Sequence, residues 1–190
     1  MDDKRERILK VAQGMIARFG IAKTTMNEIA KLARMGKSTI YYYFMSKEDI
    51  FAEIIRKESI TLRHELIKAI GRAKHPKEQI KNYVHTRMKY LKELTIFYST
   101  LTSEYLEHYS FVEKEREAFT QFEIETLQGI LDEGEKEGIF RIMDTATTAR
   151  MITIAMKGLE FPLLIKNEGG DLNQEIDFML DILLKGIEKR

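Results

Sequence analysis

The sequence predicts an all-α protein, and three observations carry that prediction. Apolar residues recur at i, i+3 and i+4 almost throughout. No stretch of β-branched residues alternates at period two, and the chain holds only two prolines, Pro76 and Pro162, in 190 residues. The expected architecture is three short helices forming an N-terminal head, then a bundle of about six longer ones, about nine in all. Residues 1–48 are expected to be the head and 49–190 the body.

The elements follow in order. Ile8, Leu9, Ala12, Met15, Ile16 and Phe19 share one face of a first helix, which ends at Gly20 in the place of a left-handed cap. Thr25 and Glu28 have the spacing of a capping box. They open a short second helix whose buried stripe is Met26, Ile29, Ala30 and Ala33. The third helix lies in GKSTIYYYF, residues 36–44. Ser46 and Asp49 cap a fourth, which carries Ile50, Phe51, Ile54 and Ile55 and joins head to body. Longer helical segments are expected at about 50–72, 77–92, 94–108, 111–136, 144–166 and 172–188. KHPKE and EKEGIFRIMD read as turns, NEGGD is the clearest break, and Asp144 is an N-cap. Pro162 is expected to kink the penultimate helix.

Composition narrows the function. There is no cysteine, hence no disulfide framework and no thiolate metal site. The opening MDDKRERILK lacks the apolar core of a signal peptide, and no apolar run approaches the roughly 18 residues that cross a bilayer. A cytoplasmic location is expected. Residues 1–57 hold twelve Lys/Arg against seven Asp/Glu, whereas the remainder holds nineteen against twenty-three. A basic front on an acidic back suits a polyanion-binding head on a body with another task. His64, His75, His85 and His108 have no H-x-x-x-H spacing, and no nucleophile elbow, P-loop or dinucleotide glycine pattern occurs. The carboxylates of EKEREAF and DEGEKEG alternate with Lys and Arg, as on a solvated helix face. No catalytic residue, metal or cofactor is expected.

The three consecutive tyrosines are the most informative stretch. On a helix, Ile40, Tyr43 and Phe44 fall at i, i+3, i+4 and form the core stripe. Ser38, Thr39, Tyr41 and Tyr42 cannot join it and point outward, with Lys37 at the leading edge. Lysine and hydroxyls donate to phosphate oxygens, and a tyrosine ring can meet a thymine methyl. By themselves the aromatics fit a partner-docking patch equally well. The neighbourhood favours DNA: a capped short helix, a turn over Arg34–Lys37 and a second short helix make a helix-turn-helix. Thr25 and Lys47 lie at helix N-termini that would flank the groove.

TTMNEIAKLARMGKSTIYYYFMSKEDIF resembles the DNA-binding segment of the TetR family of bacterial transcriptional repressors. The matching positions are Thr25, Ile29, Ala30, Lys37, Ile40, Tyr41, Tyr43, Phe44, Lys47 and Glu48, within about residues 5–55. The resemblance implies a homodimer, a DNA-binding head, and a body that binds a small molecule and dimerises. It implies DNA contacts at Thr25, Lys37, Ser38, Thr39, Tyr41, Tyr42 and Lys47. Two positions depart from the family pattern. Arg34 stands where Gly is usual and is expected either to need a left-handed backbone or to sit in a slightly different turn, with a phosphate contact as a further role, and Gly36 stands where Ser is usual.

In the body, Met88, Phe97, Tyr98, Leu101, Tyr105, Phe119, Phe122, Met151 and Ile154 are the candidate effector contacts. Met and Phe suit an adaptable apolar cavity, so a hydrophobic or amphipathic effector is expected, with Tyr98, Glu104 and Tyr105 orienting its polar end. The same residues also serve as ordinary core. The last two helices carry broad apolar stripes: Met151, Ile152, Ala155, Gly158, Leu159 and Phe161 on one; Ile176, Met179, Leu180, Leu183, Leu184 and Ile187 on the other. One flank can seal the monomer and the second requires a partner, which points to a four-helix bundle across a twofold axis. The expected function is a ligand-responsive regulator, a repressor released from a palindromic double-stranded operator by its effector. A protein–protein adaptor using the tyrosine face, and an enzyme with its site in the body, are the rival readings.

Overall fold

The structure is a computed structural model that describes residues 3–94, 105–164 and 171–187, with side-chain detail for all but 105–109, 161–164 and Leu172. Eight helices form among the described residues: α1 Asp3–Phe19, α2 Met26–Leu32, α3 Lys37–Tyr43, α4 Lys47–Ile70, α5 Pro76–Glu93, α6 Tyr105–Lys136, α7 Thr145–Leu164 and α8 Leu172–Ile187. The all-α expectation holds, with eight of the about nine expected helices among the described residues. Most of the segment expected as a helix over 94–108 lies outside the described residues. Its expected boundary with the next helix is absent, because α6 runs unbroken from Tyr105 to Lys136. The stretch HYSFVEK contains neither Gly nor Pro, and a serine in a helix interior costs only a fraction of a kcal/mol, about half.

The chain divides into two compact units, Met1–Ile60 with Lys92–Arg116 and Thr61–Leu91 with Glu117–Arg190. In the first unit, Ile8, Leu9, Ala12, Met15 and Ile16 of α1 are buried, as are Ile29, Ala30 and Ala33, Ile40 and Phe44, and Ile50, Phe51, Ile54 and Ile55. Phe19 departs from its expected core place. It ends α1 half exposed, with the Arg18 guanidinium over its ring. Polar pairs fasten α1 along α4: Arg5 to Glu53, Lys57 to Glu6, and Gln13 Nε2 donating to Glu58 Oε1 at 2.8 Å.

Local signals set the helix ends here. The Thr25–Glu28 capping box forms, with Glu28 N donating to Thr25 Oγ1 and Thr25 N donating to Glu28 Oε2. Ser46 and Asp49 cap α4 reciprocally. Gly20 adopts φ 79, as its place after α1 requires. Between α2 and α3, Arg34 N donates to Lys31 O and Met35 N to Ala30 O. Arg34 sits at φ 54, the one left-handed non-glycine among the described residues. A side chain with a Cβ in that region costs roughly 1–2 kcal/mol.

In the second unit, Leu62 and Leu66 of α4, Ile80, Val84, Met88 and Leu91 of α5, Leu127, Ile130 and Leu131 of α6, Ile152 and Met156 of α7, and Ile176, Leu180 and Leu184 of α8 are buried. The turn after α6 closes on Gly138 at φ 71, with Ile139 N and Phe140 N both donating to Gly134 O. Phe140 is thereby laid on Gly134, where an added Cβ would stand 2.1 Å from Cδ2 of the ring. Asp144 caps α7 as expected: Thr147 N and Thr147 Oγ1 both donate to its carboxylate. Those bonds, the hydroxyl's first, hold the Asp144 carboxyl below its ordinary range. α7 remains helical through Leu164, and the side chain of Pro162, expected to kink it, lies outside the described ones.

Candidate functional site

The third helix turns its side chains as its spacing demands. Ile40 is fully buried and Phe44 nearly so, with the Arg5 guanidinium over the Phe44 ring. Tyr43 is half-buried and meets the Tyr42 ring edge-on at 5.1 Å between centroids. Tyr42 is 83% exposed and Tyr41 44%. Lys37 and Ser38 are exposed and Thr39 is half-buried. The Lys37 ammonium lies 6.0 Å from the centre of the Tyr41 ring. One short helix thus presents a cation, two hydroxyls and two phenols on a surface backed by a sealed core.

The two flanking residues are more constrained. Thr25 is exposed, yet its hydroxyl donates to Glu28 Oε2 at 2.7 Å and accepts from Glu28 N. It must leave the cap's side-chain bond to donate elsewhere. Lys47 is half-buried and its ammonium donates to Ile21 O at 3.3 Å, which pins it near the start of α4 and leaves two of its three N–H groups. Lys31, Arg34 and Lys37, all exposed, bracket the turn and have no ion pair among the described residues.

The body candidates divide. Met88 and Phe119 are buried, and Phe122 lies 6.0 Å from Phe119 with the Arg63 guanidinium over its ring. Met151 and Ile154 are instead about half exposed on the outer side of α7. Phe97, Tyr98, Leu101 and Glu104 lie outside the described residues, as does the side chain of Tyr105. α7 buries Ala149, Ile152, Thr153, Met156 and Glu160, while Met151, Ile154, Ala155 and Gly158 face out. α8 buries Ile176, Leu180 and Leu184 and leaves Phe178 and Ile182 exposed by 69% and 60%.

Sequence reasoning missed a buried ionic cluster. Arg87 Nε donates to Glu123 Oε1 at 2.6 Å, and Arg87 Nη2 to Glu160 Oε1 at 2.5 Å. The Tyr83 hydroxyl donates to the same Glu123 oxygen at 2.7 Å. Burial alone would lower the Arg87 pKa, but Glu123 and Glu160 outweigh it and hold the guanidinium well above its ordinary value. Burial first, and the Glu123 charge next, raise the Tyr83 phenol well above its usual range, so it stays a donor. Arg87 Nη1 and Glu123 Oε2 are buried without a hydrogen-bond partner among the described residues. The signal was present in the sequence: Arg87 sits in the stripe Ile80, Tyr83, Val84, Met88, Leu91, and Glu123 lies four residues from both Phe119 and Leu127.

Among the described residues, no group of acidic and histidine side chains is arranged to hold a metal, and no helix is long and apolar enough to cross a membrane.

The chain is similar to known proteins in part of its sequence and in its fold. Residues 8–54 match the family of bacterial regulatory proteins of the tetR type, a span that contains α2, α3 and the turn between them. An HTH-type transcriptional regulator of Bacillus subtilis, YhgD, is 37% identical over 83 residues, covering 44% of this chain and 41% of that protein. QacR of Staphylococcus aureus, another HTH-type transcriptional regulator, is 25% identical over 97% of this chain and 98% of its own. A transcriptional regulator from Saccharomonospora viridis, solved in complex with choline, superposes with a TM-score of 0.83 over the full length of both chains at 21% identity, a likeness of fold. Residues 8–54 thus carry the pattern of the tetR family of bacterial regulatory proteins, and the full length is similar to a regulator of the HTH type.

Proposed function

We propose that this protein is a cytoplasmic, homodimeric, ligand-responsive transcriptional regulator, a repressor released from a palindromic operator by a small hydrophobic effector, and that it has no catalytic role. The observation that carries the reading is the rotational phase of α3: Ile40 is at 0% exposure while Tyr42 is at 83%. A short helix that seals its core with one face and offers phenols, hydroxyls and a lysine on the other is built to enter a major groove. In this reading Lys37, Ser38, Thr39, Tyr41 and Tyr42 touch DNA. Lys47 and Thr25 add phosphate contacts at the helix starts, Thr25 by exchanging its cap bond. The head is residues 1–48 and the body 49–190.

The outer faces of α7 and α8 support the dimer: Met151, Ile154, Ala155 and Gly158 with Phe178 and Ile182 form apolar surface that the monomer leaves uncovered. Two heads then read half-sites about 34–36 Å apart, or a multiple of that. The effector occupies the body near Met88, Phe119 and Phe122, where Arg87 Nη1 and Glu123 Oε2 offer a donor and an acceptor to its polar end. DNA and effector then oppose each other through one coupling free energy, commonly about 1–3 kcal/mol.

The test is selection of bound duplexes from random DNA with the wild type, Tyr42→Ala and Lys37→Ala. Lys37→Ala should weaken all duplexes alike and lower the slope of log affinity against log salt by about 0.9. Tyr42→Ala should weaken the selected site by about 1–3 kcal/mol relative to other sequences. Wild-type protein that ignores every duplex at low ionic strength overturns the reading and favours a protein-docking role for the tyrosines.

A further inference from the structure

The turn between α2 and α3 carries an unusual residue. Arg34 stands at φ 54, where glycine is free of strain. Its backbone role is fully met without a side chain: Arg34 N donates to Lys31 O, and the turn closes through Met35 N to Ala30 O. Its side chain is exposed and joins no ion pair, hydrogen bond or ring among the described residues. Packing therefore gives no reason for an arginine here, and the backbone argues against one. Strain that the fold does not need marks a position kept for something else.

We infer that Arg34 is a DNA-phosphate contact at the turn, resting on the reading of α3 as the groove helix. Lys31, Arg34 and Lys37 then form a run of cations at every third position, from the last turn of α2 across the turn to the first residue of α3. A duplex seated on α3 brings its phosphate backbone past the turn that delivers that helix. A guanidinium there grips a phosphate through two parallel donors, a geometry lysine cannot reproduce. Phosphate contacts carry no sequence information, so Arg34 raises affinity and fixes register without changing which operator is read.

The experiment sets stability against binding in the full-length chain. Arg34→Gly removes both the strain and the charge. Arg34→Asn tolerates the left-handed backbone without a charge, and Arg34→Lys keeps the charge. The probes are the duplex selected by the wild type and a duplex of scrambled sequence, each titrated over a range of salt. Arg34→Gly should melt about 2–4 °C higher than wild type yet bind both duplexes three- to tenfold more weakly. Its salt slope should be lower by about 0.9. Arg34→Asn should show the same drop in slope, and Arg34→Lys should restore the slope. If Arg34→Gly binds both duplexes as the wild type does, with an unchanged slope, Arg34 makes no phosphate contact. If it loses both melting temperature and affinity, its role is structural. Either outcome overturns the inference while leaving the groove-helix reading intact. Wild type that binds neither duplex overturns both.

Discussion

Replacing Arg87 by methionine removes the single cation from a fully buried cluster and keeps most of its volume. The side chains of Arg87 and Glu123 are 0% exposed and that of Glu160 3%. Two charge-assisted hydrogen bonds are lost, each worth about 1.5–3 kcal/mol, and two carboxylates are left in the interior. Breaking a buried pair in this way costs about 3–5 kcal/mol, a large part of a total stability of about 5–15 kcal/mol. The sign of the pH dependence follows. Arg87 is held above its ordinary range in the wild type and keeps its charge throughout. In the variant, the stranded carboxylates favour the protonated form in the fold, whereas the unfolded chain releases those protons above pH about 4.3. The folded variant then binds more protons than its unfolded state, so its stability rises as pH falls from neutrality, by up to about 1.4 kcal/mol per pH unit for each proton. Urea unfolding at pH 7 and pH 5, at one protein concentration, measures both effects. Adding Glu123→Gln and Glu160→Gln should recover much of the loss at pH 7 and flatten the pH dependence. A deficit below about 1 kcal/mol, or one equal at the two pH values, would refute the account of a dry, charge-balanced cluster.

Two further substitutions probe the body. Gly134→Ala should gain up to about 1 kcal/mol of helix propensity. Its Cβ, however, would stand 2.1 and 2.4 Å from Phe140 Cδ2 and Cε2, and overpacking of that kind costs about 1–3 kcal/mol. Thermal unfolding should therefore show net destabilisation, and the same change in a Phe140→Ala background should become stabilising. Ile182→Glu places a charge on the outer face of α8. Sedimentation should show the particle mass falling to that of one chain with helix content retained; a wild type already sedimenting as one chain sinks the proposed interface.

What was legible in the sequence is what the chain encodes locally. Thr25 with Glu28, Ser46 with Asp49, Asp144 and Gly20 each fix a helix end through neighbours within four residues, and each formed where its spacing placed it. The same holds for α3, whose faces follow from seven consecutive residues, and for the left-handed turn at Arg34. The misjudged features lack such a marker. Phe19 fits its helix face by periodicity, but it is the last residue of α1, whose last buried residue is Ile16. The unbroken α6 reflects the absence of a breaker across the boundary expected between 108 and 111.

The body's chemistry was hidden for a different reason. Arg87 meets partners 36 and 73 residues away, and no local pattern states which carboxylates among thirty will be carried inward to meet it. Apolar stripes are degenerate in the same way. Met88 and Phe119 are buried and Met151 and Ile154 exposed, though all four satisfied the same periodicity. Periodicity reports that a face is apolar, not whether its cover is the same chain, a second copy or an effector. A charged residue inside such a stripe is more telling, because its desolvation must be offset by a partner brought from elsewhere. Arg87 between Val84 and Leu91 therefore marks where α5 meets α6 and α7, although its partners come from parts of the chain that no local pattern names.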